Sequence, residues 1–161
     1  MTFSGVLATW TLTGQPGSQT STPSTSSAPG VSAGALTRAP GLTAAAGTNS
    51  INSTNWPAAQ LDPTKFYTMM ITPPAGCSIS TSSLAIDVSS SGTGPTSAAV
   101  ATSADSFAHT TTVSTTAASM PALTVTAATG VLELRVYGFS ASATTGTMRI
   151  QNTLSITGAL Q

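Results

Sequence analysis

The chain has 161 residues, four Lys/Arg against four Asp/Glu, a formal net charge of zero, and 40% hydrophobic but only 5% charged residues, where ordinary soluble domains carry about a quarter. Its basic residues, Arg38, Lys65, Arg135 and Arg149, are scattered, which excludes the clustered positive patch that phosphate-backbone binding requires. No apolar run approaches the roughly 20 residues of a membrane-spanning helix, and the Val, Ile and Leu content argues against a disordered chain.

This length suits a single domain over residues 1–161, able to bury about two thirds of the surface its unfolded form exposes. The alternating pattern of half-buried strands appears first at Val6, Ala8, Trp10 and Leu12, which share one face opposite Thr9 and Thr11. Residues 14–34 are rich in Ser, Thr and Pro and read as a non-regular segment, too long for a hairpin loop. Phe66 to Ile71 reads as a strand closed by Pro73-Pro74, and Ile79 leads to Leu84, Ile86 and Val88 alternating with Ala85, Asp87 and Ser89. Further strands are expected at Ser97 to Thr102, Thr110 to Thr115, Leu123 to Thr126, Val131 to Tyr137 and Thr147 to Thr157, the last interrupted at Asn152. Residues 138–146 read as a second irregular stretch. Many short strands and no helical periodicity predict an all-β fold, a two-sheet antiparallel β-sandwich. Its expected core includes Trp10, Leu84, Ile86, Val88, Leu132, Leu134, Val136 and Ile150, with Glu133 and Arg135 on the opposite face.

Chemistry-bearing groups are few. Cys77 is the sole cysteine, so no intrachain disulfide forms and a small core residue is the simplest reading. The four acids, Asp62, Asp87, Asp105 and Glu133, offer little for a glycosidase pair. A Ser-His-Asp arrangement would have to use His109 with Asp105 or Asp87, without a Gly-x-Ser-x-Gly elbow. One histidine and few acids do not complete a zinc site. Ser91-Gly92-Thr93-Gly94-Pro95 lacks the Gly-Lys-Ser/Thr ending of a phosphate loop and reads as a turn, and Asn52-Ser53-Thr54, though it fits a glycosylation acceptor, reads as a turn too. No enzyme activity, cofactor or metal is therefore expected.

A sugar-binding surface would use exposed aromatics ringed by amides. Trp56, beside Asn55 and Asn52 in an expected loop, is the best such candidate, with Tyr137 as a further contact. The other reading of Trp56 is a plug at one end of the sandwich core, and Tyr137 carries the same alternative.

Several ordered segments carry a resemblance. They are Ala8-Thr9-Trp10-Thr11-Leu12-Thr13-Gly14, the run from Ala35 to Leu42, and Asn49 to Trp56. Phe66-Tyr67 follows with Thr72-Pro73-Pro74-Ala75-Gly76-Cys77-Ser78-Ile79, then Asp105-Ser106-Phe107 and Arg135-Val136-Tyr137-Gly138-Phe139. Together they resemble a class of bacterial secreted or surface-anchored domains, similar to galactose-binding-like jelly-roll modules, and the closing run from Gly146 to Gly158 looks like the final strand pair of such folds. The resemblance implies a jelly-roll-like topology and an extracellular or cell-surface location. Where such proteins often carry Asp, this chain has Gln151, a neutral amide that speaks against a calcium ion.

The resulting expectation is a non-catalytic structural or adhesive module, self-assembling into a fibre or matrix because a near-neutral surface does not resist association. Its partners would be copies of itself, through edge strands or exchange of the loosely tethered N-terminal strand, or other surface components. A carbohydrate-binding module taking polysaccharide is the alternative.

Overall fold

The computed structural model describes residues 2–161, and its regular secondary structure is all strand apart from a single 3₁₀ turn. The chain opens with β1 (Phe3–Thr11), followed by the short segments β2 (Pro16–Gly17), β3 (Ser21–Thr22), β4 (Ser26–Ser27), β5 (Ser32–Ala33), β6 (Leu36–Arg38) and β7 (Thr43–Ala45), then β8 (Ser50–Thr54). Its middle holds β9 (Phe66–Thr72), β10 (Ile79–Ser90), β11 (Pro95–Thr102), a single 3₁₀ turn (Ser103–Asp105), β12 (Thr111–Val113), β13 (Ala118–Ser119) and β14 (Ala122–Ala128). It closes with β15 (Leu132–Ala141), β16 (Met148–Gln151) and β17 (Thr153–Leu160).

Two sheets face each other. One runs β2-β8-β16-β10-β17-β1-β4, with β13 and β14 on the far side of β10 and β7 beside β8; the other runs β12-β11-β15-β9-β6-β3, with β5 beside β9. The described pairings are antiparallel except β2 with β8. The fold is thus the expected all-β two-sheet sandwich. All eight expected core residues are at most 2% exposed.

Local devices set strand register. Along β1, Val6 pairs with Thr157 but Ala8 pairs with Ile156, so Leu7 is an extra residue opposite β17. A bulge of this kind shifts the in-out parity by one position. Leu7 is therefore buried and Val6 is 47% exposed, contrary to the single face assigned to Val6, Ala8, Trp10 and Leu12. At the other end of the chain, β16 and β17 together form one antiparallel partner for β10, broken at Asn152. Asn152 takes φ 60, a left-handed conformation that asparagine tolerates better than most residues. Its N–H donates to Asn49 O and its carbonyl accepts from Leu12 N, so the kink lies where β1 ends and β8 begins.

Two segments read as irregular are ordered otherwise. Residues 14–34 are no loose tether: they alternate between sheets, with β2 on β8, β3 on β6, β4 on β1 and β5 on β9. A pattern search misses such two-residue strands because they are too short to show alternation. β15 continues through Gly138 to Ala141. Gly138 breaks nothing; a Cβ there would lie 2.7 Å from Met148 Sδ, so the glycine admits a close approach between the sheets.

Leu134 is fully buried and pairs with Met69 across β15 and β9. Leu134→Ala is expected to lower the unfolding free energy by about 2–5 kcal/mol through lost transfer energy and a residual cavity. Val6→Ala should stay within about 0.5 kcal/mol. Urea unfolding of both variants checks the assignment of faces.

Candidate functional site

Of the residues singled out as possible sugar contacts, Asn52, Trp56 and Tyr137 are buried and Asn55 is half-buried. Asn52 lies in β8, whose first four residues are all buried, and its Nδ2 donates to Ala46 O at 2.8 Å while its Oδ1 accepts from Ser53 N. Asn55 adopts φ 68 and donates from Nδ2 to Gly41 O. Trp56 is 2% exposed, donates from Nε1 to Ser53 O at 2.8 Å, and meets Tyr67 edge-on with ring centroids 5.4 Å apart. Its ring has no free face for a sugar and plugs the core. Tyr137 is also 2% exposed, because Phe66 packs edge-on against it at 5.8 Å. The fold thus gathers Asn52, Asn55 and Trp56 at one end of the core and leaves Tyr137 on the outer side of the other sheet. Residues 50–54 form an interior strand, not a loop, because Ser and Asn find backbone partners that sequence pattern does not reveal.

At the same end, the half-buried Arg38 is held without a carboxylate. Its Nε donates to Ser53 Oγ, Nη1 to Gln19 O at 2.6 Å, and Nη2 to Gly17 O and Asn52 O. Burial pulls its pKa below the ordinary arginine value, partly opposed by Tyr67. Tyr67 is fully buried and donates to Met148 O at 2.6 Å. Burial raises its pKa far above the usual phenol value, against the hydrogen bond with Ser53 and the nearby guanidinium.

Most of the remaining charges are also engaged. Arg135 lies between the rings of Phe66 and Phe107, with its Cζ 4.3 and 4.0 Å from their centroids, and donates from Nε to Glu133 Oε1 at 2.7 Å. Burial works against this guanidinium, but Glu133 and Tyr137 outweigh it and hold its pKa above the ordinary value. The cluster brings together three segments far apart in sequence and pins the loop after β11 onto the sheet. Asp105 and His109 close that loop: Nδ1 lies 2.8 Å from Oδ2 and the backbone N–H of His109 donates to the same oxygen. The hydrogen bond to His109 holds the Asp105 pKa below the usual carboxylate value, although the imidazole is 90% exposed. Asp87 accepts from Gln151 Nε2 at 3.3 Å and Asn152 Nδ2 at 2.7 Å. Among the described residues no three His, Cys, Asp or Glu gather into a possible metal site, and no helix is long and apolar enough to cross a membrane. Cys77 is half-buried against the core.

What stands unpartnered is the border of the larger sheet beside β10. Among the described residues β14 pairs with β10 alone, at Ile79, Thr81 and Ser83, and its outer edge pairs with no strand. Leu123 and Val125 point inward and Thr124 and Thr126 outward. No charged residue occurs between His109 and Glu133. Met120 is 70% exposed and Val131 58%, one at each end of the strand. Met120 also overhangs a shallow recess floored by Ala85, Asp87 and Thr153. The expected strand at Leu123 to Thr126 is here, but its place at a border follows only from the topology.

Compared with known proteins, the chain matches no family model, no curated protein and no solved structure.

The buried Tyr67 yields a pH dependence. Its folded pKa lies above the unfolded value of about 10, so its contribution to stability is intact below pH ~10 and is lost as pH rises toward the folded value. The urea midpoint of the native protein is expected to fall above pH ~10, and that alkaline slope should be shallower in Tyr67→Phe, whose midpoint at neutral pH is lower because Met148 O loses its donor.

Proposed function

We propose that this chain is a non-catalytic structural or adhesive module of an extracellular surface, assembling with copies of itself or with neighbouring surface components. The observation that carries this reading is the uncharged, unpaired sheet border at β14 with Met120 and Val131 exposed beside it. Natural sheets commonly protect such borders with lysine, proline or a covering segment, because free backbone groups pair readily with another strand. Between His109 and Glu133 there is no lysine, and Pro121 precedes the strand without interrupting it.

Net charge supports the same reading. With a formal charge of zero and most ionic side chains paired or hydrogen-bonded within the fold, long-range repulsion between copies is weak. Association then rests on apolar contact and backbone hydrogen bonds. The sugar-binding alternative needed an open ring at Trp56 or Tyr137, and the burial of both favours assembly.

The test is sedimentation velocity across a concentration series, at salt from about 0.05 to about 1 M. Concentration-dependent association that persists or strengthens at high salt is expected. A monomer at every concentration, or a complex that salt dissolves, would overturn the reading.

A further inference from the structure

We infer that two copies of this chain join edge to edge through β14, in antiparallel two-fold pairing centred on Val125, so that the larger sheet continues from one subunit into the next. The inference rests on the assembly reading above and names the contact that produces it.

Among the strands that pair on one side only, β14 with seven residues is the longest: β12 and β7 have three, and β2, β3, β4, β5 and β13 have two. The N-terminal strand, the other route to exchange, is paired with β17 from Phe3 to Thr11 and held on its second side by β4 at Ala8 and Thr9. Only its first residues have a free edge. β1 therefore closes its own sheet, and β14 is left as the unsatisfied border.

The occupant follows from symmetry and charge. An antiparallel two-fold pair brings a strand against itself, so the strand must be its own complement. β14 meets that condition: pairing about Val125 sets Thr124 opposite Thr126, keeps Leu123 and Val125 on the inner face of both copies, and places no charge opposite a like charge. The same register sets Met120 of one copy opposite Gly130 of the other, so Met120 and Val131, the two most exposed large apolar side chains, flank the junction. Register shifts occur between β14 and β10 on either side of Thr81. They bend the strand, and Ala127 at φ 52 ends its regular part, yet the in-out alternation from Leu123 to Thr126, on which the pairing rests, is unbroken.

The experiment compares the native protein with Thr124→Lys/Thr126→Lys, which sets two lysine pairs face to face in this register, and with Val6→Lys, which charges the free end of β1. All three substituted positions, Thr124, Thr126 and Val6, are solvent-exposed in the single chain, so thermal melting of each variant should stay near the native value. Sedimentation is expected to show association weakened by about tenfold or more in the double variant and unchanged in Val6→Lys. In a Cys77→Ser background, a mixture of Thr124→Cys and Thr126→Cys proteins should form a disulfide-linked heterodimer under mild oxidation. Association untouched by the two lysines, or no heterodimer cross-link while the native protein associates, overturns the β14 junction and leaves the assembly reading standing. Loss of association in Val6→Lys alone would move the junction to β1. A native protein that is monomeric throughout overturns both.

Discussion

The arrangement of the sandwich depends on one unbalanced charge. Arg38 lies at the end of β6 in the smaller sheet, yet its guanidinium reaches Ser53 and Asn52 on β8 of the larger sheet and Gly17 and Gln19 in the segment between β1 and β6. A half-buried cation without a carboxylate must gather neutral oxygens to offset lost hydration. Three backbone carbonyls and one hydroxyl do so, and each comes from a chain segment that must then hold its position. Gly17 shows how tight this closure is: at φ 88 its backbone lies against Gly47, and a Cβ would fall 2.4 Å from Gly47 N.

Consequences spread from that point. β8 can be an interior strand made of Ser, Ile, Asn, Ser and Thr because its buried polar side chains have fixed partners: Ser50 donates to Gly47 O, Asn52 to Ala46 O, and Ser53 accepts from Arg38. Trp56 then finds Ser53 O for its indole N–H and Tyr67 for its ring, and Tyr67 spends its hydroxyl on Met148 O. Leaving such groups without partners would cost more than an apolar core. Gln19 Oε1 is the one buried side-chain atom of this cluster without a partner, and the pairing of the others lets a Ser/Thr-rich chain with few charges bury a polar strand.

The outer faces follow a different rule. On the smaller sheet, Arg135 is stacked between Phe66 and Phe107 and tied to Glu133, so a surface arginine spends its charge inside the fold. On the larger sheet, Asp87 is held by Gln151 and Asn152. Little charge is left to repel a neighbour, and the exposed apolar side chains Met120 and Val131 lie where backbone hydrogen-bonding capacity is also unused. Weak repulsion and open valence at the same border are the physical basis of the assembly reading.

Sequence alone determined the class of fold and most of its core, because a period-two pattern such as Leu132, Leu134 and Val136 survives wherever a strand is long enough to show it. It also located the interruption at Asn152, and it separated Glu133 and Arg135 from the core face. Tertiary structure alone decided the rest. An extra residue at Leu7 reversed the exposure of Val6, since a bulge changes parity without altering composition. Residues 14–34 became ordered because their short strands pair with β8, β6, β1 and β9 and the carbonyls of Gly17 and Gln19 reach Arg38, contacts that no local pattern encodes. Trp56 and Tyr137 are covered by Tyr67 and Phe66, neighbours brought by sheet packing. The β14 strand was legible as a strand, but whether it lay in the middle of a sheet or at its border depended on which segments folded beside β10, and that is a property of topology, not of the seven residues themselves.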